Sequence, residues 1–169
     1  MSLERLYLLR HAHAADPRFG EPDAARPLTD EGYQALDDML ALLSALEVRP
    51  DAVLHSPAVR TTETARAARE RLAPDRPLIE VAEAGLGHDV RLMLLAVIAT
   101  GHRRPLVVGH EPQLGEVLSL QLGAPRQPFS LRKAGFAELR FHHAPGGEVE
   151  TELRRLLSPR EARAARRGT

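Results

Sequence analysis

Cysteine is absent from the 169 residues, which excludes disulfide staples, thiolate nucleophiles, zinc-cysteine clusters and iron-sulfur centres at once. An excess of one charge sign is absent too. Twenty-three basic residues balance 23 acidic ones, so no global field recruits nucleic acid or an anionic membrane surface. Any attraction for an anion must be local. Long apolar runs are also missing: the longest, residues 92–100, is about half of the roughly 20 residues that span a bilayer. The first residues read as a strand, without the long apolar stretch and cleavage site of a secretory leader. The expectation is a cytoplasmic monomer with no nucleic-acid and no membrane partner. Lysine is nearly absent, Lys133 standing alone among the basic residues, and no function follows from that.

What is present is an ordinary globular composition, 43% hydrophobic and 27% charged, in a length typical of one domain. Short leucine-rich or β-branched runs alternate with longer amphipathic ones, the pattern of strands joined by crossover helices. Strands are expected over residues 3–9, 52–55, 77–81 and 106–108. The stripe Tyr33, Leu36, Leu40, Leu43 and Leu46 predicts a helix that ends before Pro50. Further helices are expected over residues 58–72, 89–99 and 112–122, the last capped by Gly123. Beyond it the period becomes two. Ala137, Leu139 and Phe141, then Val149, Thr151 and Leu153, alternate with polar residues about a Pro-Gly-Gly turn, which predicts a β-hairpin. From Ser158 onward arginines recur without a large apolar residue, and the stretch reads as frayed. The predicted architecture is a three-layer α/β/α sandwich, with a mostly parallel central sheet and an antiparallel C-terminal hairpin at an edge. One domain covers residues 1–159 and a basic, flexible tail covers 160–169.

Ligands of open α/β sheets bind outside the carboxyl ends of the strands. Three of those positions carry unusual residues: Arg10-His11, then His55-Ser56 with Arg60, then Gly109-His110. If these strands are neighbours, two arginines and two histidines converge, and no carboxylate intervenes before Glu63 and Glu111. Such a set holds a metal poorly and a phosphoryl group well, because guanidinium pairs with phosphate oxygens and keeps its charge. A neutral imidazole can attack phosphorus in line. His11 is the expected nucleophile, Arg10 and Arg60 the clamp, and His110, if protonated, a further donor. The helix starting near Ala58 adds its positive end.

Residues 6–14, Leu-Tyr-Leu-Leu-Arg-His-Ala-His-Ala, resemble the strand-plus-Arg-His signature of the histidine phosphatase superfamily. Further pieces agree in order: Arg26-Pro27-Leu28-Thr29 with Gly32, Ser56-Pro57 with Arg60, and Val108-Gly109-His110. With Lys133-Ala134-Gly135 and the hairpin, the chain resembles the short SixA-type phosphohistidine phosphatase branch, over nearly its whole length. The resemblance implies a phosphoglycerate-mutase-like fold and a covalent phosphohistidine on His11. It also implies a phosphate pocket of Arg10, His11, Arg60 and His110, and no metal or cofactor. It further implies a proton donor after the third strand, where Val81-Ala82-Glu83 is the nearest match, so Glu83 is nominated, with His88 and Asp89 behind it. A phosphoramidate leaves as a histidine that needs such an acid less than an alkyl phosphate does. That favours a phosphohistidine protein as substrate over a small phosphorylated molecule.

Other readings attach to the same residues. A phosphomonoesterase or mutase acting on small molecules would use the same pocket, and a phosphate-binding module without turnover would keep the arginines alone. His11 and His13 could start a metallohydrolase site, but the chain is short for the barrel that such sites use. His13 is expected at the rim, His55 in the strand-end hydrogen-bond network, and His102, His142 and His143 on the surface. Arg26 is expected to pair with Asp23 or Asp30, and Arg66, Arg69 and Arg71 to form a charged helix face.

Overall fold

Strand β1 (Arg5–Arg10) presents Leu6 and Leu8 on one face and Tyr7 and Leu9 on the other, and all four are buried. A strand that is apolar on both faces has to be covered on both sides. The computed structural model describes residues 2–124 and 128–168. In it β1 is followed by α1 (Asp30–Ala45), β2 (Ala52–His55), α2 (Val59–Leu72), β3 (Leu78–Glu80) and α3 (Val90–Ala99). Then come β4 (Pro105–Gly109), α4 (Gln113–Gln121), β5 (Phe136–His143), β6 (Val149–Leu157) and α5 (Pro159–Arg167). The six strands form one sheet in the order β3-β2-β4-β1-β5-β6. Strands β1 to β4 are mutually parallel, while β5 runs antiparallel to β1 and pairs with β6 as the edge hairpin. This is the expected α/β/α sandwich.

Alternation along the strands divides the core. Tyr7, Leu9, Val53, Val108 and Phe136 meet α1 and α2 through Leu36, Leu40, Leu43, Ala65 and Leu72. Leu8, Leu54, Val107, Ala137 and Leu139 meet α3 and α4 through Met93, Val97, Leu114 and Val117. Deleting any one of the large aliphatic side chains would cost about 2–5 kcal/mol, so both layers hold the sheet in place. At the start of α1, Thr29 Oγ1 accepts the Gly32 amide at 3.1 Å. Gly32 is obligatory here, because a Cβ would stand 2.2 Å from the His13 carbonyl oxygen. That close approach ties α1 to the segment leaving β1. Among the described residues no helix is long and apolar enough to cross a membrane.

One expectation fails at the C-terminus. The stretch after Ser158 is α5, and it is docked, although Thr169 lies outside the described residues. Three features make it helical. Ser158 and Glu161 form a capping box with Pro159 in the first turn, the Ser158 amide donating to Glu161 Oε2 at 2.6 Å. Ala162 is 1% exposed and belongs to the α1 side of the core. Arg166 reaches Asp37 at 2.6 Å and Asp38 at 2.7 Å on α1. The docking residue is small, so a search for large apolar anchors passes over it. The exposed ion pairs add little, and the packing of Ala162 carries the attachment. Ala162→Asp should therefore lower unfolding stability by about 2–4 kcal/mol, against less than about 1 kcal/mol for Arg166→Ala, in urea titrations. Equal effects of the two substitutions would contradict this account.

Candidate active site

The order β2-β4-β1 places three strand ends side by side, and the register makes them level. Arg10 is opposite Gly109, and His55 is opposite Val108, so the next residues along, His11, His110 and Ser56, emerge together. Two backbone bonds extend the pairing past the strands: the His11 amide donates to the Gly109 carbonyl at 3.1 Å and the Ser56 amide to the Val108 carbonyl at 3.2 Å. On the far side of β1, the Arg10 amide donates to Gly135, and the Ala134 amide is shared by the carbonyls of Arg10 and His11 at 3.2 Å each. Ala134 holds a φ of 58° to do so, a left-handed conformation that costs about 1 kcal/mol or more for a non-glycine residue. Gly109 makes its close approach to the Leu114 side chain, which a Cβ would meet at 3.1 Å.

His11 is 7% exposed, and its Nδ1 lies 2.7 Å from the Ala12 carbonyl. A carbonyl can only accept, so Nδ1 carries the hydrogen and Nε2 keeps the lone pair. The Ala12 amide in turn donates to Thr64 Oγ1 at 3.2 Å, which fastens this turn to α2. Burial, opposed by the Ala12 hydrogen bond and reinforced by His110, Arg60 and Arg10, pushes the His11 imidazole down to about 3. It is a neutral imidazole at any physiological pH.

His110 is 2% exposed, and its ring meets that of His11 edge-on at a centroid separation of 5.1 Å. Its Nε2 lies 2.7 Å from Ser56 Oγ, which lies 2.9 Å from Thr61 Oγ1. The single hydrogen of Thr61 goes to a backbone carbonyl, Ser56 at 2.8 Å or Ala58 at 2.7 Å. Thr61 therefore accepts from Ser56, Ser56 accepts from His110, and Nε2 is the protonated nitrogen of a neutral His110. A second proton would enter at Nδ1. Burial and then Arg60 push this imidazole down to about 4, so the ring is neutral at pH 7. Both rings are neutral because both sit among fixed positive charges away from water.

Arg60, on α2, is 2% exposed. Its two terminal nitrogens donate to Asp23, Nη1 to the carbonyl oxygen at 2.7 Å and Nη2 to Oδ2 at 2.9 Å. Arg26 holds the other carboxylate oxygen of Asp23, with Nε at 2.9 Å, and these two guanidinium groups keep that carboxyl below the usual range, Arg26 foremost. The expected pairing of Arg26 with Asp23 is thus present. The direct bond from Asp23 to Arg60 was not expected, and it is the counter-charge that sequence reasoning missed. Arg10 donates through Nη1 to the Leu131 carbonyl at 2.8 Å. The Nε atoms of both Arg10 and Arg60 are buried without a hydrogen-bond partner among the described residues. Orphaned donors on two guanidinium groups are costly unless an anion satisfies them.

The remaining nominees fall outside this group. Glu83 sits in a short 3-10 turn after β3, and only its backbone carbonyl is engaged, by Gln113 Nε2 at 2.9 Å. Among the described residues its carboxylate bonds none of Arg10, His11, Arg60 or His110. His88 is held by the same glutamine through its carbonyl, and Asp89 caps α3. Glu63 and Glu111 are structural, accepting the amides of Leu28 at 2.7 Å and Leu131 at 2.9 Å. His13, His142 and His143 are exposed, while buried His55 bonds the Ser56 carbonyl at 2.8 Å. Thr61 joins this group without a signal in the sequence, since serine and threonine near a helix start usually serve as caps.

The comparisons agree with this geometry. The model of the histidine phosphatase superfamily (branch 1) matches residues 6–88, the segment holding His11, Asp23, Ser56 and Arg60. An uncharacterized protein of Picosynechococcus sp. is 30% identical over 159 residues, 92% of this chain and 96% of its own. A solved chain from Agrobacterium tumefaciens, assigned as the phosphohistidine phosphatase SixA, superposes with a TM-score of 0.79 at 26% identity, covering 94% of this chain and all of that one. A protein histidine phosphatase SixA complexed with tungstate superposes with a TM-score of 0.75 at 24% identity, over 93% of this chain and 98% of that one. With the Arg-His strand end, the second arginine and the second histidine meeting in one place, the chain belongs to the histidine phosphatase superfamily.

Proposed function

We propose that the protein hydrolyses phosphorylated histidine on a protein partner through a covalent phosphohistidine at His11, without a metal. The observation that carries this reading is the pinned imidazole: Nδ1 is committed to Ala12, and Nε2 is free beside two guanidinium groups with orphaned donors. Nε2 attacks phosphorus, the bond to the leaving nitrogen breaks, and that nitrogen takes its proton from solvent or is already protonated. Water then attacks the phosphorus on His11, releases orthophosphate and restores the neutral ring. Arg10 and Arg60 stabilise the charge on the equatorial oxygens. Those same guanidinium groups repel a cation, so the donor set suits an anion better than a metal.

The phosphohistidine preference rests on the shortage of acids. Asp23 is held ionised, Glu111 is tied to Leu131, and the Glu83 carboxylate makes no bond to the pocket residues. A poor alkoxide leaving group would need one of them; an imidazole does not. The family's proton donor, if Glu83 serves as one, would have to move to the substrate. Binding a phosphate dianion also reverses the electrostatics at His110. The dianion favours a proton on Nδ1, and a charged His110 then becomes a further donor to the phosphate.

His11→Ala should abolish release of phosphate, by at least about 10³-fold, and remove acid-labile radiolabel from the protein after incubation with a phosphodonor. Arg60→Ala should lower kcat/KM by about 10²–10³-fold. Persistent turnover in His11→Ala would end the mechanism. Neither His11 nor His110 should titrate between pH 8 and 5 when followed by imidazole NMR, and added tungstate should bring the His110 midpoint upward. The same depressed values give a stability that is complete above about pH 6.5 and declines as the pH falls toward 4, because the unfolded chain takes up protons that the folded pocket refuses. Urea titrations at pH 7 and pH 5 check the sign. Asp23→Asn keeps the carbonyl contact but removes the competing charge. It should therefore lower KM for p-nitrophenyl phosphate severalfold, and a raised KM would show that Asp23 helps rather than competes.

A further inference from the structure

A second concentration of arginine lies at the other end of the sheet. Arg5 opens β1, Arg104 precedes β4, Arg49 precedes β2, and Arg154 and Arg155 lie on β6. The six-residue β1 separates Arg5 from the catalytic Arg10 by about 16 Å at about 3.3 Å per residue, with the buried core between them. These five arginines, with Glu47, Tyr7 and Leu46, line a hollow of about 330 Å3. Its charge is only partly answered. Glu138 on β5, 0% exposed, takes Arg5 and Arg155, and Arg154 pairs with Glu152 at 3.0 Å. Arg49 donates to the Val48 carbonyl at 3.0 Å, a neutral partner, and Arg104 is engaged through its backbone amide, which donates to Asp51, while its guanidinium makes no hydrogen bond or ion pair among the described residues. Beyond the glutamates already engaged, Glu47 lines the hollow beside the remaining guanidinium groups.

The hollow also continues. A neighbouring one of about 190 Å3 shares Arg49 and Arg104 as its wall, and adds Arg76 together with Asp75. A concave lining with more arginines than carboxylates focuses a positive field and raises the local concentration of anions. Guanidinium forks on either side of a common wall suit several phosphate oxygens set in a row better than a single tetrahedral anion. Arg5 and Arg155 are held in place by buried Glu138, so that part of the rim is positioned before any ligand arrives.

We propose that this groove binds a short polyphosphate chain, two or three linked phosphates, at a site separate from the catalytic pocket. Inorganic triphosphate and the tail of a nucleoside triphosphate share that chemistry. The test titrates the full chain with inorganic triphosphate and, separately, with ATP, while following the arginine Nε–Hε resonances by NMR. Both probes should shift Arg49 and Arg104. The double variant Arg49→Ser with Arg104→Ser should weaken binding at this site at least tenfold, yet leave p-nitrophenyl phosphate turnover within about twofold. Should the double variant fold poorly, Arg49→Ser alone serves, since that side chain is exposed. Tighter binding of ATP identifies a nucleotide as the source, and equal binding identifies the bare phosphate chain. Shifts confined to Arg10 and Arg60, an unchanged affinity in the variants, or an equal response to sodium chloride at matched ionic strength would overturn the proposal.

Discussion

Positive charge buried without a permanent partner is the constraint from which the rest of this site follows. Arg10 and Arg60 cannot give up their protons, so their neighbours must adjust. The two imidazoles adjust by staying neutral, which at His11 leaves a lone pair for attack. The loop adjusts by bringing Asp23 onto Arg60. What neither adjustment supplies is an acceptor for the two orphaned Nε–H groups. Fixed donors of this kind match an oxyanion, which satisfies them without rearrangement.

The sheet order is what assembles those charges. Had β4 not been inserted between β2 and β1, His110 would not lie between His11 and Ser56, and the chain of hydrogen bonds through Thr61 would have no end to anchor. Both core layers enforce this order by burying the alternate faces of β1, β2 and β4. Helix α2 contributes Arg60, Thr61 and Thr64 from adjacent turns, so a shift in its packing would move the clamp, the His110 relay and the Ala12 anchor together. Three elements meet at the site, and each is buried on its own account.

The strand ends were legible in the sequence because apolar runs stop abruptly at Arg10, His55 and Gly109, and period-two alternation announced the hairpin. The gathering of Arg10, His11 and His110 was legible for the same reason, since a charged or imidazole side chain directly after an apolar strand has little to gain from packing. Asp23 was not, because it lies 37 residues from Arg60 in a proline-rich loop where aspartate ordinarily serves a turn. The helix α5 was hidden by size: Ala162 docks with a methyl group, and hydrophobic periodicity counts large side chains. Yet its Ser158-Pro159-Arg160-Glu161 start is a capping signature that local reading can detect. Glu83 was nominated from the resemblance of Val81-Ala82-Glu83 to a family motif, and a short motif does not say which way its turn faces.

Two carboxylates show how the protein treats its arginines differently at the two poles. Glu138 is wholly buried between Arg5 and Arg155, so removing it would strand charge in the interior, and nothing from solvent can replace it. Asp23 is about half exposed, and it meets Arg60 from a loop. Its pairing is screened by water and is exchangeable for a stronger anion of the same sign. The same chemical pair therefore does opposite things. One fixes the framework of the sheet, and the other answers a buried guanidinium from a loop that water can reach.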